Sequence, residues 1–576
     1  MKRTLLLCSF VLLAWGMKGQ NCGCDITLNN LTTNSLNLIW GNNLNYSPGD
    51  TICIPAGTYR GIRFYDLVGT ETQPITIKNC GGQVTFNEVQ YSAVSFQRSQ
   101  YIHFTGTGDS GTPYGFYIGD TGGGSAGVYV ENLSSDVEID HIEVAYAGFA
   151  GIMAKTDPSC SKPDTWRSNG FILKNLKIHH NYIHHTGGEG IYIGFTGGYK
   201  IKSNRSCSGT PIFGHWLEDV YVHNNILEDI AWDGIQLNLV RENAQVYDNT
   251  LIRYGTANKY YQDFAFSIGG GVYEIFNNTV INESGGTGQG MQFISADSGT
   301  KVYNNLIVNP DFHGIFMHQR HEFEDPNEGY YVANNTIVEP EKSGTFYNTV
   351  ITITDDPAKK YQTQGGTPTY FVNNLVVDPG NDYANGNTWK QDQESYFDFN
   401  KRATRDSINP LIYTNIMTRD ADTLGLADIP NLDYRPGSGS SAVVDQGSDL
   451  SSWGILIDLD NTSRPQGSGF DIGAFEWISA VSAQAFLDPD LIPAENPETE
   501  DVILYPNPAP SGLFELKVSD YFSSNTVLRI RNSSGQLLYN DLLANYRRSA
   551  PPLKRGLYFV DIEDNSQKVT KKLLVQ

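Results

Sequence analysis

Short runs of alternating apolar and polar residues recur through the central part of the chain. One set begins with Asn followed by apolar residues, as in Asn225-Ile-Leu. Its asparagines are 44, 24, 29, 27, 30 and 39 residues apart: Asn181, Asn225, Asn249, Asn278, Asn305, Asn335 and Asn374. A second set begins with Gly or Ala, as in Gly234-Ile-Gln-Leu, and falls once in each interval. Strands this short at a repeating interval predict a coil of stacked rungs, each burying its apolar residues against the next.

Such a coil of rungs is a parallel β-helix. In it, the recurring asparagines are expected to stack as an internal ladder, because their amides can bond from rung to rung and satisfy the backbone of the turn. Alternation within the second set places Tyr192 and Gln236 on the outer surface of neighbouring rungs.

Both ends of the repeat resemble segments of known proteins. Pro48-Gly49-Asp50, with the following residues to Tyr59, and Gln73-Pro-Ile-Thr-Ile-Lys resemble the first rungs of right-handed β-helix enzymes that act on polysaccharides, including lyases of the chondroitinase B and alginate lyase type. Ser463-Arg464-Pro465-Gln466 and the segment from Asp471 to Glu476 resemble the closing segment of secreted bacterial β-helix proteins. The resemblance implies an all-β, right-handed parallel β-helix (solenoid) over residues 20–477 with a polysaccharide substrate. The same fold also serves hydrolases, epimerases and adhesins.

The segment 502–576 has a different pattern, with short alternating strands between Pro, Asn and Gly turns, which predicts a small C-terminal β-sandwich. Its motifs resemble the C-terminal sorting domain of type IX secretion cargo: Tyr505-Pro506-Asn507-Pro508, Ser534-Gly535-Gln536, Gly556-Leu557-Tyr558 and Lys571-Lys572-Leu573. The resemblance implies transport by the type IX secretion machinery across the outer membrane of a Gram-negative bacterium, then release or surface display. Residues 478–501, rich in Pro and acid, are predicted to be a linker.

The N-terminus indicates the compartment of the protein, and the overall charge limits the classes of partner that it can bind. Lys2 and Arg3 precede a short apolar run, the layout of a secretory signal peptide over residues 1–19. Beyond it, no apolar run is long enough to suggest a membrane-spanning segment in the mature protein. The net charge of -23 argues against nucleic acid as a partner and favours a neutral or weakly charged glycan. We expect a monomer.

Six cysteines remain after removal of the signal peptide, and an even number in an exported protein predicts disulfides. Cys160 and Cys207 fall in inserts that follow two adjacent strands of the second set, and they are predicted to pair. Cys53 and Cys80 lie in successive early strands and form a second candidate pair, which would leave Cys22 and Cys24 over.

Candidate catalytic residues stand directly before the Gly of the second set. Glu189 and Asp233 occupy this position on neighbouring rungs, about 4.8 Å apart by strand spacing. Two carboxyl groups this close can serve as acid and base in glycosidic cleavage, with retention at ~5 Å and inversion at ~6.5–9.5 Å. Strict alternation would point both inward unless they lie on the turn. Turn capping is the structural alternative.

Side chains near this pair are candidates for sugar binding: Tyr192, Trp232, Gln236 and Gln292. Tyr260, in the segment Lys259-Tyr260-Tyr261, is a further candidate that could line a sugar groove or equally cover an edge. A lyase acting by β-elimination would instead need a base and a cation beside an acidic sugar, and His313, His318 and Arg320 offer such groups.

The chain next to these histidines also offers oxygen ligands. Glu322, Glu324 and Asp325 are candidate Ca²⁺ ligands, although no cofactor is required, and a solvated charged loop is the alternative. Taken together, the sequence predicts a secreted or surface-displayed enzyme that cleaves a polysaccharide, as hydrolase or lyase, in a groove along the face of the second set of strands. The alternative is a non-catalytic adhesin or glycan-binding solenoid.

Overall fold

The structure is a computed structural model of the 576-residue chain. It describes the residues outside the following ranges: 1–21, 88–90, 110–111, 199–201, 283–286, 312, 320–324, 326–327, 340–350, 356–368, 379–396, 400–409, 430–431, 438, 479–501, 506–514, 519–525, 533–536, 543–552, 554–555, 564–567 and 576. The predicted signal peptide and nearly all of the predicted linker lie outside the described residues.

One side of the coil is a twelve-stranded parallel sheet, called here the front sheet. Each rung adds one strand to it, and the strands are Asn37–Trp40, Ile62–Tyr65, Ser92–Gln97, Ala126–Glu131, Ile152–Ala154, Ile191–Ile193, Ile235–Asn238, Phe264–Gly269, Gln289–Ile294, Ile315–Gln319, Ile351–Asp355 and Phe397–Phe399. This is the sheet that the second set of runs predicted.

The rest of the coil is a 24-stranded sheet, called here the back sheet. Most rungs add two strands to it, joined at a bend. The strands are Ile26–Thr27, Thr51–Tyr59, Ile75–Phe86, Gln100–Thr105, Phe116–Ile118, Ser135–Asp140, Ile142–Val144, Ile172–Leu173, Leu176–His179, Tyr182–His184, Trp216–His223, Ile226–Glu228, Val240–Tyr247, Thr250–Ile252, Tyr273–Phe276, Thr279–Ile281, Lys301–Tyr303, Leu306–Val308, Tyr331–Ala333, Thr336–Val338, Thr369–Val372, Leu375–Val377, Pro410–Tyr413 and Ile416–Thr418.

Parallel pairing of each strand with its equivalent in the next rung makes the coil a parallel β-helix, as predicted. Ile191 pairs with Ile235, and Ile235 pairs with Phe266. These side chains are fully buried and form a continuous column in the interior. Because each rung covers the apolar residues of the next, burial of this column is the main stabilising contribution.

The predicted asparagine ladder is confirmed. It runs along the bend of the back sheet from Asn181 to Asn374 and continues to Asn415, with Nδ2 of each residue donating to Oδ1 of the next at 2.9–3.1 Å. The same amides donate to backbone carbonyls, as Asn278 does to Val246. Since buried polar groups must be paired, the ladder explains why Asn recurs at this position.

Disulfides fasten the start of the coil and two of its inserts. The predicted Cys160–Cys207 bond is present. The predicted pairing of Cys53 with Cys80 was wrong, because Cys80 lies opposite Pro55 rather than Cys53. Cys53 instead bonds Cys24, next to the first strand, and Cys80 bonds Cys22.

A closing segment returns along the bend of the last rungs. Arg464 and Glu476 form a fully buried ion pair with Nη1 and Oε1 2.6 Å apart. Arg464 also donates to Asn304 Oδ1, so the segment is fastened to a rung. Short elements lie elsewhere along the coil: the strand pairs Ser206–Cys207 with Thr210–Pro211 and Leu426–Asp428 with Asp433–Pro436, and the 3-10 helices Gly41–Asn43, Pro163–Thr165, Arg167–Asn169, Ala421–Leu424 and Ser451–Trp453.

The C-terminal strands form two antiparallel sheets. Val502–Tyr505 pairs with Glu515–Val518, and a four-stranded sheet contains Val527–Asn532, Leu537–Leu542, Gly556–Glu563 and Lys568–Val575. That the two sheets pack as a sandwich stays a prediction. Within the described ranges, no helix has the length and apolar character needed to cross a bilayer.

Candidate functional site

The residues before the glycines of the front sheet form a row where its strands begin. This row runs along one edge of the sheet, across the rungs. The backbone N–H of Gly151 bonds the carbonyl of Glu189, and that of Gly190 bonds the carbonyl of Asp233. Glu189 and Asp233 therefore lie on neighbouring rungs, as predicted. Glycine is needed here for close stacking: a Cβ at Gly190 would lie 2.4 Å from Leu227 Cδ2 and 2.6 Å from the Gly234 carbonyl oxygen.

Both carboxyl groups interact with side chains of the outer side of the front sheet. The positive charges that act on Glu189 belong to Lys155 and Lys259, outside the apolar column. Asp233 interacts with Ser267, whose hydroxyl accepts a hydrogen bond from Gln292 on the outer surface. The two acids thus lie on the turn, where strict alternation does not apply.

Contrary to the expectation of an open groove, both acids are shielded from solvent. Glu189 is 1% exposed and Asp233 is 0% exposed. The segment 255–262 lies against this edge, since Gly255 N–H bonds the carbonyl of Trp232. The Lys259 ammonium lies over the Trp232 ring, 3.1 Å from its centre. The acids are therefore buried beneath outer-surface side chains and loops.

Burial raises the pKa of both acids. It raises the pKa of Glu189 to about 7, against the opposing effect of its own backbone and of Lys155 and Lys259. It also raises the pKa of Asp233 well above its ordinary value, although the Phe264 N–H donates to Oδ1 at 2.9 Å; the negative charge of Glu189 adds to the rise. The surroundings of Asp233 thus favour its protonated form, whereas two lysines near Glu189 favour its ionised form.

Each acid keeps one oxygen without a hydrogen-bond partner among the described residues. These atoms are Glu189 Oε2 and Asp233 Oδ2. Gln236 Oε1, on the adjoining strand, also lacks a hydrogen-bond partner among the described residues. A buried polar atom left unpaired costs about 1–3 kcal/mol. Three such atoms on two neighbouring rungs therefore mark this edge as a place where a further polar group would be stabilised.

Lys155 and Tyr192 lie in the same cluster, and Lys155 supplies its positive charge. Lys155 follows the strand Ile152–Ala154, and its ammonium lies 4.2 Å from the centre of the Tyr192 ring. The Tyr192 hydroxyl is 2.6 Å from the hydroxyl of Thr196. Sequence reasoning missed Lys155, although alternation from Met153 would have placed it on the outer surface.

The predicted sugar-binding residues occupy two settings. Tyr192 and Gln236 are cross-strand neighbours, and Gln292 lies two strands further along the same outer row. Trp232 is half-buried, and its ring meets Phe149 edge-on. Tyr260 is 80% exposed and packs on Tyr261 with ring centres 4.0 Å apart. The structure brings Tyr192, Trp232 and Gln236 to the buried acids and leaves Tyr260 at the surface.

The predicted lyase residues lie further along the front sheet. His313 stacks on Phe316 with ring centres 4.8 Å apart, and His318 lies 5.5 Å from the same ring. Arg320 lies outside the described residues. So do Glu322 and Glu324, two of the three predicted Ca²⁺ ligands; Asp325 is exposed, and its backbone N–H donates to Ser298 Oγ. Lyase chemistry here, and Ca²⁺ binding, stay predictions.

Solved structures similar to this chain share low sequence identity with it. An alginate lyase from Paenibacillus sp. str. FPU-7 is 16% identical and matches 52% of this chain and 95% of its own, with a TM-score of 0.35. Pectate lyase Pel9A is 14% identical over 78% of this chain and 98% of its own, with a TM-score of 0.36. The GH136 lacto-N-biosidase from Eubacterium ramulus is 12% identical over 66% and 67%, with a TM-score of 0.38. Such weak likenesses leave the activity open.

The C-terminal segment has a defined relative. No curated protein matches the chain. Residues 503–576, however, match the family described as a secretion system C-terminal sorting domain, in agreement with the motifs around Tyr505 and Lys571. The protein is therefore a parallel β-helix that carries a secretion system sorting domain, which marks it as secreted or displayed on the cell surface.

Proposed function

We propose that the protein is an exported enzyme that cleaves a polysaccharide at the outer edge of the front sheet, with Glu189 and Asp233 as the reacting acids. The observation that carries this proposal is the pair itself. Two carboxyl groups occupy the same position on adjacent rungs, each has an oxygen without a described partner, and two lysines act on Glu189 whereas no cation is among the main neighbours of Asp233.

The surroundings also assign the roles. Burial and the charge of Glu189 both favour the protonated form of Asp233, and no cation is among its main electrostatic neighbours, so it is the proton donor to the leaving glycosidic oxygen. Glu189 lies within the field of Lys155 and Lys259, which favours its ionised form, so it is the base or nucleophile. Environments that push two carboxyl groups apart in pKa are typical of glycosidic cleavage.

Access requires movement of the covering segment 255–262. Its backbone bonds to residues 230–232, and Lys259 holds it to Trp232 through the ring contact. A sugar stacking on the Trp232 ring would displace the Lys259 ammonium. The substrate would therefore enter between this segment and the front sheet, with the exposed Tyr260 at the entrance.

A neutral or weakly charged glycan fits this edge best. The chain carries a net charge of -23, which repels polyanions over most of its surface. Of the two lysines near the acids, Lys155 is already engaged with Asp157 and Tyr192, so it is poorly placed to hold a uronic acid. β-Elimination by His318 and Arg320, which needs an acidic sugar, is the competing chemical route.

One observation favours a non-catalytic function instead. Glu189 and Asp233 are so deeply buried that the closed front sheet offers a glycan only its outer row of side chains. If segment 255–262 stays closed, the protein is an adhesin or glycan-binding solenoid. The two functions share the fold and the sorting domain, and they differ in whether bonds are broken.

A panel of neutral and acidic polysaccharides tests the proposal. Products are measured as new reducing ends and as absorbance of unsaturated sugars, for the unmodified chain and for Glu189→Gln, Asp233→Asn and, as a matched control, Glu143→Gln. Glu143 is a partly exposed carboxylate paired with His184 on the back sheet. We expect reducing ends without unsaturation and a loss of about 10²–10⁴-fold in both site variants, with the control unchanged.

Other outcomes would contradict specific parts of the proposed function. Unsaturated products would establish β-elimination and remove the acid–base roles. Full activity in both site variants would move the reaction elsewhere. Glycan binding without products would establish the non-catalytic alternative.

A further inference from the structure

The back sheet carries a concentration of histidines that the proposed reaction does not use. Seven of the 11 histidines in the sequence lie on this sheet or at its bends, on successive rungs: His103, His141, His179, His180, His184, His185 and His223. Imidazole is a metal ligand as well as a hydrogen-bonding group. Their surroundings therefore decide whether any subset forms a site.

Three side chains of this region bring their donor atoms together. His103 and Glu138 are paired across adjacent strands, and Asp140 follows two residues later on the same outer face. The nitrogen of His103 and one oxygen from each carboxylate all lie within 4.8 Å of one another. His103 Nε2 is 2.5 Å from Asp140 Oδ2 and 4.0 Å from Glu138 Oε1.

Neighbouring residues hold both carboxylates in position. The second oxygen of Asp140 bonds His141 Nδ1 at 2.5 Å and accepts the hydroxyl of Thr105 at 2.6 Å. Glu138 Oε1 is 3.0 Å from His179 Nε2. Partners of this kind, which fix ligands without binding the ion, typically surround metal sites.

We propose that His103, Glu138 and Asp140 bind one divalent transition-metal ion of the zinc class on the outer face of the back sheet. Such ions combine one or more imidazole nitrogens with carboxylate oxygens. Ca²⁺ and Mg²⁺ prefer ligand sets made only of oxygen, so they are poor competitors here. The site is distinct from the predicted Ca²⁺ loop near Asp325.

The geometry suits an ion that also keeps a solvent ligand. Three donors at ~2.1 Å from a tetrahedral ion lie roughly 3.4 Å apart. His103 and Asp140 would therefore move apart from 2.5 Å, and His103 and Glu138 would move together from 4.0 Å, changes that small side-chain rotations can supply. The His103 and Glu138 side chains are 32% and 31% exposed, whereas that of Asp140 is 4% exposed. Asp140 thus forms the buried floor, and the fourth position of the ion faces water.

Metal binding replaces one hydrogen bond. Without the ion, a proton between His103 Nε2 and Asp140 Oδ2 joins the pair. When the ion binds, the Nε2 lone pair and the carboxylate oxygen both coordinate it, and the displaced proton moves to Nδ1 of a neutral imidazole or leaves an imidazolium for solvent. No oxidation or reduction takes place.

Titration of the full-length exported chain with ZnCl₂, followed by calorimetry, tests the proposal directly. We expect one Zn²⁺ per chain and a rise in the thermal midpoint with Zn²⁺ but not with Ca²⁺ or Mg²⁺. Co²⁺ provides a spectroscopic readout, because its visible absorption reports nitrogen and oxygen coordination and does not respond to folding alone.

Variants separate the ligands from ordinary surface histidines. His103→Ala and Asp140→Asn are expected to abolish the Zn²⁺ heat and the Co²⁺ spectrum. His141→Phe removes only a positioning contact and is expected to weaken Zn²⁺ binding about 10–100-fold. His185→Gln is the matched control, an exposed histidine whose Nε2 is 3.5 Å from Asp229, and it is expected to bind Zn²⁺ like the unmodified chain.

Circular dichroism confirms that each variant is folded before it is titrated, and Asp140→Asn keeps the side-chain volume in case His103→Ala does not fold. Failure of the unmodified chain to bind Zn²⁺ would overturn the proposal. Unchanged binding in folded His103→Ala or Asp140→Asn would do the same. Neither result would bear on the polysaccharide activity.

Discussion

The ammonium group of Lys155 lies over the aromatic ring of Tyr192, 4.2 Å from its centre, and its charge acts on the buried Glu189. A residue on one rung thereby influences the protonation of an acid on the next. This influence gives the proposed reaction a pH dependence that one substitution can alter.

Lys155→Met is expected to move the acid limb of the pH profile to higher pH. Lys155 opposes the effect of burial on Glu189, so its removal raises the pKa of that carboxyl further. Because Glu189 is proposed to act in its ionised form, activity will then begin at a higher pH. The measurement is kcat/KM for the responsive polysaccharide between pH 4 and 9. Lys177→Met, on the back sheet beside Glu138, should leave the profile in place; an unmoved limb in Lys155→Met contradicts the role of Glu189.

Glu189→Gln is expected to remove a pH dependence of stability. Burial raises the pKa of Glu189 to about 7 from the ordinary 4.5, so the folded chain holds this proton more tightly than the unfolded chain. The stabilisation is complete below pH 4.5 and is lost as the pH rises to about 7, by roughly 3 kcal/mol. The variant should therefore gain stability relative to the unmodified chain as the pH rises. Thermal unfolding at pH 4.5 and pH 8 measures this, and an equal difference at both pH values would rule it out.

Asn278→Ala is expected to destabilise the coil by about 2–4 kcal/mol. The substitution removes hydrogen bonds to Asn305 and Val246 and leaves buried groups unpaired on both adjacent rungs. Unfolding in denaturant measures the loss. Gln245→Ala, on the outer face of the neighbouring strand, is the control and should change the midpoint little; a similar effect from both would mean that the ladder adds no special stability.

Replacing Cys160 and Cys207 together by Ser is expected to loosen the two inserts without unfolding the coil. The bond joins residues separated by 47 positions, and loss of such a cross-link costs about 2–4 kcal/mol in the segment that it constrains. Limited proteolysis should cut first between residues 155 and 215. Cleavage at the same rate as in the unmodified chain would show that other contacts, such as His215 Nε2 with the Thr156 N–H, hold the inserts.

The repeat allowed the fold to be predicted closely, since period-2 alternation and the recurring Asn depend only on neighbouring rungs. The same logic correctly placed Glu189 beside Asp233 and Tyr192 beside Gln236. Burial of the acids could not be predicted, because the covering segment 255–262 has no periodic pattern. The Cys24–Cys53 bond was missed because it depends on which residues face each other at the coil's first strand.

The cluster at Asp140 lay beyond sequence reasoning for a related reason. Its members come from two rungs and are related by cross-strand register, and no repeated motif marks them. Lys155, by contrast, was within reach, because it continues the alternation of a strand that the sequence had identified.

The asparagine ladder implies that the length of the coil depends on the number of rungs and not on the number of residues in each rung. Consecutive ladder asparagines are bonded at nearly the same distance whether 24 or 44 positions separate them in the chain. Chain added between two bends therefore emerges as an outer loop and leaves the spacing of the coil intact. Loops beside the front sheet can accordingly be exchanged or lengthened to reshape what the protein binds, while the frame that exposes them to the exterior of the cell stays the same.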